Sequence, residues 1–234
     1  PEFFTYLVFV ASLFWLTLTI AVMMIFRTVR LTQEAEIARN HDELTGLPNM
    51  LLFSNYAQEL VLKDPKNRFA FIVFDFDNFK AFNERYGFEE GDIAIKFMAD
   101  TLKSLFGERY VTRISSDTFR VVSDVTGMNF KIREAHEKIH SSLKQGSLEL
   151  KAGVYAQREE NENIERCFMR ARLAETSIKG RYDEYVAVYV DEMSARESLK
   201  MYLITHIDEA IENEYIKVFY QPVVDVKTNK LCSF

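Results

Sequence analysis

Phe69-Ala-Phe-Ile-Val-Phe74 is an unbroken apolar run that ends on a carboxylate, Asp75. A strand that is apolar on both faces has to be covered on both faces, so this segment belongs in the middle of a sheet with helices above and below it. Asp75 then lies at the C-terminal end of a buried strand, at the sheet edge where ligands of α/β sheets bind. Taken alone, Asp75 serves equally well as the N-cap of a following helix or as an oxygen ligand for Mg²⁺. Asp77 fits the capping position too, which frees Asp75 for metal. Further along, Val111-Thr-Arg-Ile-Ser-Ser-Asp-Thr-Phe119 reads as two short strands joined by Ser115-Ser116, with Asp117 just past the turn. Two acids on neighbouring strand ends suit metal-dependent nucleotidyl transfer.

Around that central strand the pattern alternates. Strands are expected near 68–75, 109–114, 118–123, 148–156 and 184–190. Helices are expected near 78–85, 89–106, 129–145 and 163–179. Gly46 and Pro48 break the pattern upstream, and Asn49 is placed to cap a helix running to about Lys63. The order predicts an α+β domain, a central sheet flanked by helices and related to the split βαβ layout. Glu192 to Asn213 reads as a further helix, and Ile216–Tyr220 as a strand that begins something new.

The N-terminus differs in kind. No charged residue occurs from Phe3 to Phe26. At about 1.5 Å per residue the run extends roughly 36 Å, enough to cross a hydrocarbon core of ~30 Å. It is too long for the apolar part of a signal peptide, and no cleavage-site pattern follows. Residues 1–27 are therefore expected to form a transmembrane helix. Arg27 and Arg30 at its C-terminal end predict the inner (cytoplasmic) membrane, with everything after Arg27 in the cytoplasm. Because the sequence starts on Pro1 rather than Met, it is expected to continue upstream. Residues 28–41 read as a helical linker, either a signal-relaying stalk or a plain connection. The net charge of −6 offers no basic footprint for nucleic acid. Cys167 and Cys232 have no ligand-like spacing and are expected to be reduced thiols.

Three segments carry a family resemblance. Asp42-Glu-Leu-Thr-Gly-Leu-Pro-Asn49, Phe74-Asp-Phe-Asp-Asn-Phe-Lys-Ala-Phe-Asn83 and Arg113-Ile-Ser-Ser-Asp-Thr-Phe119 resemble, in order and spacing, D-x-L-T-G-L-x-N-R, F-D-x-D-x-F-K-x-x-N and R-x-G-G-D/E-E-F. These are the motifs of the GGDEF (diguanylate cyclase) family, and the similarity runs over residues 42–190. The resemblance implies a nucleotidyl-cyclase, palm-like (ferredoxin-like) sheet. It also implies the joining of two GTP molecules into cyclic di-GMP by two facing domains, with Mg²⁺ ions on the phosphates, and so a homodimer partner. By the same resemblance Asp75, the backbone of Phe76, and Asp117 hold metal, Asp117 being the candidate catalytic carboxylate. Asn83 and Asp92 would read guanine, and Lys80 and Arg181 would serve the phosphates.

The chain departs from the pattern where phosphates and metal are handled. Ser115 and Ser116 stand where the family has glycines, whose freedom at positive φ lets a backbone approach a phosphate. Thr118 replaces an acid, and a neutral hydroxyl is a weaker ligand for a hard dication. In the family's A-K-x-x-G-R-N segment Gly180-Arg181 fits, but Ser177 takes the lysine position and Tyr182 the asparagine, with Lys179 two residues off. The inhibitory product site, R-x-x-D, would fall on Phe106-Gly-Glu-Arg109 and is absent, and Met50 replaces an arginine. The expectation is a degenerate, cyclase-inactive domain that keeps its base-reading pair. An active cyclase and a dimerisation module that binds no nucleotide stay open as alternatives.

Residues 191–234 read as a linker helix, with Ile204, Ile207, Ile211 and Tyr215 as its apolar face, followed by Tyr220-Gln-Pro-Val-Val-Asp225. This resembles the first strand of the EAL family of cyclic di-GMP phosphodiesterases, whose metal-binding motif would lie beyond Phe234. An ordinary β-hairpin turning at Asn229 is the plainer reading. The expected partners are thus GTP or cyclic di-GMP, a fused EAL domain and the membrane, with no nucleic acid.

Overall fold

The computed structural model describes residues 2–64, 68–143, 148–160, 162–228 and 230–233. The chain divides into two compact units, Pro1–Tyr189 and Val190–Phe234. The first opens with helix α1, Glu2–Asn40, continuous through the expected span and linker, followed by α2, Met50–Lys63. Within α1, Leu13–Thr32 is long and apolar enough to cross a membrane, and none of it is buried against the rest of the chain. The two helices are joined by a turn that Asn49 closes from both sides. Its Oδ1 accepts from the Leu52 amide of α2, and its Nδ2 donates to the Arg39 carbonyl at the end of α1.

Strand β1, Phe69–Asp77, is buried along its whole length. It lies in the middle of a sheet of order β2-β3-β1-β4-β5, where β2 is Val111–Ser115, β3 Thr118–Asp124, β4 Glu149–Ala156 and β5 Val186–Val188. β1 runs antiparallel to β3 and β4, and β5 joins β4 in parallel. Between the strands run α3 (Phe79–Tyr86), α4 (Phe88–Phe106), α5 (Met128–Ser142) and α6 (Ile164–Ser177).

Successive side chains of a strand point to opposite faces, and here the two faces have different partners. Ala70, Ile72, Phe74 and Phe76 join Ala94, Met98 and Leu102 of α4 and Ile132, Ala135 and Ile139 of α5 in one core. Phe71 points the other way, edge-on to Phe168 of α6 at 5.2 Å, and Phe168 also meets Phe53 of α2 at 5.8 Å. Such aromatic pairs add about 0.5–1.5 kcal/mol each beyond the area they bury. The odd-numbered residues Asp75 and Asp77 therefore face α6. On β4 the same parity presents Lys151, Gly153 and Tyr155.

Gly153 sets the distance between α6 and the sheet. A Cβ there would lie 2.0 Å from the Ala171 carbonyl oxygen and 2.3 Å from the Glu175 amide nitrogen, both helix backbone. Any larger residue forces the helix outward.

Three expectations change. The hairpin between β2 and β3 turns on Ser116-Asp117, because Ser115 is still paired with Thr118 across a register shift. The helix expected over 192–213 is split at His206 into α7, Asp191–Thr205, and α8, Ile207–Glu212. Thr205 Oγ1 donates to the Met201 and Tyr202 carbonyls, the back-bonding that bends helices. No strand forms over Ile216–Tyr220, where no neighbouring strand pairs with the exposed backbone. The second unit instead closes with a short hairpin of β6, Val223–Val224, and β7, Leu231–Ser233. Asp225 turns it by accepting from the Lys227 and Thr228 amides, and Asn229 lies outside the described residues.

Substituting Gly153→Ala is expected to lower unfolding stability by about 2 kcal/mol or more, the scale of overpacking against backbone. Urea denaturation followed by circular dichroism checks it; a change within about 0.5 kcal/mol of the parent would contradict the close helix approach.

Candidate functional site

Beyond the Phe74–Phe119 pair β3 leaves β1, and residues 75–77 are paired to β4 alone. The site forms in the space this opens, roofed by α6. Asp75 is almost fully buried, and both its oxygens are engaged. Lys179 Nζ reaches Oδ1 at 2.8 Å; Arg172 Nη1 and Thr118 Oγ1 reach Oδ2 at 2.8 and 2.7 Å. Burial alone would push the Asp75 carboxyl up, but hydrogen bonds from Lys179, Thr118 and Arg172 hold it below the usual carboxylate range.

Glu175, fully buried, stands beside the same two cations. Arg172 lies 3.3 Å from its Oε2 and Lys179 3.5 Å from its Oε1. Burial and then the charge of Asp75 push the Glu175 carboxyl up. Asp117 is also raised, first by burial and then by the charge of Asp75. Asp117 thus shares the electrostatic neighbourhood of Asp75, as expected, whereas neither Asp75 nor Asp77 caps α3. The N-cap of α3 is Asn78, at φ 61° and without a side-chain bond, and Asp77 Oδ2 accepts from the Gly180 amide at 2.8 Å.

The signature turn is held from behind. Ser116 has φ 31°, a left-handed conformation that costs a side-chain-bearing residue about 1–3 kcal/mol. Arg113 Nε donates to the Ser116 carbonyl at 2.7 Å, and Arg113 Nη1 pairs with Asp42 Oδ1 at 3.3 Å. Asp42 in turn accepts from the amide and hydroxyl of Thr45. The first and third motifs are therefore one hydrogen-bonded assembly that fixes the strained turn.

The remaining candidates divide. Asn83 and Gly91 are in contact: a Cβ on Gly91 would lie 2.0 Å from Asn83 Oδ1. That oxygen is buried with no hydrogen-bond partner. Asp92, next in sequence to Gly91, is exposed. A buried acceptor left unmade costs about 1–3 kcal/mol, and such groups call for an explanation. Lys80 is exposed and sits 3.9 Å from Glu84 one helical turn on. Arg181 turns to Glu184 at 3.2 Å, while its carbonyl and that of Glu184 accept from the buried Lys151. Phe76 is paired to Leu150 in the ladder and stacks its ring on Phe79.

Four contributors escaped the sequence reading: Arg172, Glu175, Lys151 and Gly153. The 172, 175, 179 spacing marks one face of a helix and its exit, but nothing local points from it to Asp75, 97 residues away. Lys179 was legible only as a displaced lysine; it lies past the end of α6 and still reaches Asp75.

The donor set does not fit Mg²⁺. Mg²⁺ takes octahedral oxygens at about 2.0–2.1 Å, yet Asp75 already accepts from three protein donors, two of them cations that a dication would have to displace. Among the described residues no group of three or more His, Cys, Asp or Glu could hold a metal ion. A dication reaching Asp75 would have to displace two charge-assisted hydrogen bonds, from Arg172 and Lys179.

Residues 39–182 match the family model described as diguanylate cyclase, GGDEF domain. The cyclic di-GMP phosphodiesterase PdeR of Escherichia coli is 23% identical over 203 residues, which cover 83% of this chain and 31% of PdeR. The chain spans only 25% to 36% of the length of the first curated relatives it matches. Among solved structures, the coiled coil and GGDEF domain of DgcB from Caulobacter crescentus, in complex with cyclic di-GMP, superposes with TM-score 0.64 at 19% identity. It covers 73% of this chain and 96% of that one. Vibrio cholerae LapD, an S helix-GGDEF-EAL structure bound to cyclic di-GMP, gives TM-score 0.60 at 16% identity over 88% of this chain and 50% of its own.

A carboxyl raised in the fold is more comfortable protonated, so its anion destabilises above the folded value, and the effect vanishes below the unfolded one. Asp117→Asn is accordingly expected to be more stable than the parent at pH 7, with the difference gone once pH falls below the ordinary aspartate value of 3.8. Thermal unfolding across that range checks it; an Asn variant less stable at neutral pH would contradict the placement of Asp117.

Proposed function

The chain belongs to the diguanylate cyclase GGDEF family, and from that membership we propose a signalling role without cyclase activity. In this reading a membrane-anchored GGDEF domain binds guanine nucleotide, makes no cyclic di-GMP, and regulates an EAL phosphodiesterase whose first strand begins in the second unit. The observation that carries it is the hold of two protein cations, Lys179 and Arg172, and the Thr118 hydroxyl on Asp75. Members of the family generally use Mg²⁺. A residue whose two oxygens are committed to protein donors does not collect that ion for triphosphate chemistry.

Nucleotide binding is supported at the other end of the site. Asn83 Oδ1 is a buried acceptor without a hydrogen-bond partner, held against Gly91, and a base edge that takes the place of that contact supplies the missing hydrogen bond. Asp92, next in sequence to Gly91, is exposed and offers a second acceptor. The phosphodiesterase half draws on the Tyr220–Asp225 segment and on PdeR and LapD, whose names carry phosphodiesterase and GGDEF-EAL respectively. The anchor draws on Leu13–Thr32, and a cytoplasmic domain is supported by Arg27 and Arg30 near its C-terminal end. GTP would act on a fused phosphodiesterase only by binding its two states with different affinity.

The test uses the 234-residue chain in detergent with GTP and Mg²⁺. GTP is expected to bind and no cyclic di-GMP to form. Product that accumulates and disappears with Asp75→Ala would overturn the reading in favour of an active cyclase. Asn83→Ala is expected to weaken GTP by about tenfold, the worth of one good hydrogen bond. The nucleotide-free chain should stay as stable as before, because an unpaired buried acceptor has been removed. Unchanged affinity in that variant would contradict base recognition at Asn83.

A further inference from the structure

Asp75, Arg172, Glu175 and Lys179 close a ring of alternating charge in which each acid touches both bases. The four contacts are Arg172–Asp75 at 2.8 Å, Arg172–Glu175 at 3.3 Å, Lys179–Glu175 at 3.5 Å and Lys179–Asp75 at 2.8 Å. The positive charges of Arg172 and Lys179 stand directly against Asp75 and Glu175, so the cations are already paired within the ring. Its exposure is one-sided. The acid side chains are 3% and 0% exposed, whereas Arg172 and Lys179 are 43% and 36% exposed. The cations thus cover the acids from the solvent side, the direction from which a dication would come.

The other candidates for phosphate are no freer. Arg181 pairs with Glu184, and Lys80 lies out in solvent near Glu84. Asp117 adds negative charge next to the ring. A phosphate chain laid here would meet cations whose charge is already spent on Asp75 and Glu175. Each added phosphate therefore gains no net attraction, because a ligand is discriminated only by an interaction that changes with it. The base end is different: Asn83 Oδ1 lacks a partner and Asp92 is exposed.

We propose that Arg172 and Lys179 are the chain's own replacement for the divalent cation, and that the domain takes guanine nucleotides by the base alone, without metal and without regard to phosphate number. The ligand half rests on the nucleotide-binding reading given above; the cation half stands on the ring itself.

Two arms separate the halves, both on the 234-residue chain in detergent. In the first, GMP and GTP are titrated calorimetrically in EDTA and again in Mg²⁺. All four affinities are expected to agree within about threefold. GTP binding more tightly than GMP beyond that margin, or any requirement for Mg²⁺, overturns base-only recognition. In the second, Mn²⁺ is added to the nucleotide-free chain and followed by electron paramagnetic resonance. The parent is expected to leave Mn²⁺ free, as is the charge-keeping variant Arg172→Lys. Arg172→Gln combined with Lys179→Gln is expected to capture Mn²⁺ at the uncovered carboxylates. Mn²⁺ bound by the parent overturns the cation replacement, and that measurement needs no variant to fold. If neither nucleotide binds while Mn²⁺ stays free, base recognition and the nucleotide-binding function fall together, and the ring's role as counter-charge is upheld.

Discussion

The seat of α6 on β4 at Gly153 is the contact on which the site depends. With no Cβ at that position, the helix backbone at Ala171 and Glu175 comes down directly on the strand. At that separation Arg172 of α6 and Lys179 just past its end reach Asp75 on the neighbouring strand, while Glu175 stays buried between them. The steric fact at one glycine and the electrostatic fact at one aspartate are therefore coupled. A residue added at 153 lifts the helix, and lifting the helix leaves a buried carboxylate without its cations, which is costlier than the lost packing alone.

The remainder of the site is arranged around this closed end. Lys151, buried on the same face of β4, gathers the Arg181 and Glu184 carbonyls, and Asp77 fixes the Gly180 amide, so the loop after α6 is tethered at two points. Arg113 and Asp42 hold the strained Ser116 turn from the opposite side. These bonds connect protein to protein in the quarter where the family handles phosphate. Around Asn83 and Gly91 the reverse holds, and a buried acceptor waits without a partner. On the function proposed above, a GGDEF domain whose phosphate end is closed by its own ion pairs would sense a guanine nucleotide through Asn83 rather than convert it.

Much of this was legible in the sequence because the signals were local. The unbroken apolar run ending at Asp75 announced a central strand covered on both faces, and Asn49 announced the cap it makes. The hairpin was displaced by one residue, since Ser115 pairs across a register shift that a two-residue turn rule does not anticipate. The break at His206 is invisible to an apolar periodicity that continues through it. Ile216–Tyr220 has strand-forming residues, but β-propensity is only a fit to neighbours, and none pairs with it. The ring around Asp75 was out of reach for a different reason. Asp75 lies 97 to 104 positions from Arg172 and Lys179, and what joins them is the fold itself.

The central claim is that Asp75 is neutralised by Lys179 and Arg172, leaving no place for a metal. Nitrogen-detected NMR of the lysine ammonium groups addresses it directly. A Lys179 signal protected from solvent exchange, absent in Lys179→Gln and unmoved by millimolar Mg²⁺, is the predicted result. A Lys179 signal that exchanges freely, or one that shifts as Mg²⁺ takes the carboxylate from it, would contradict it.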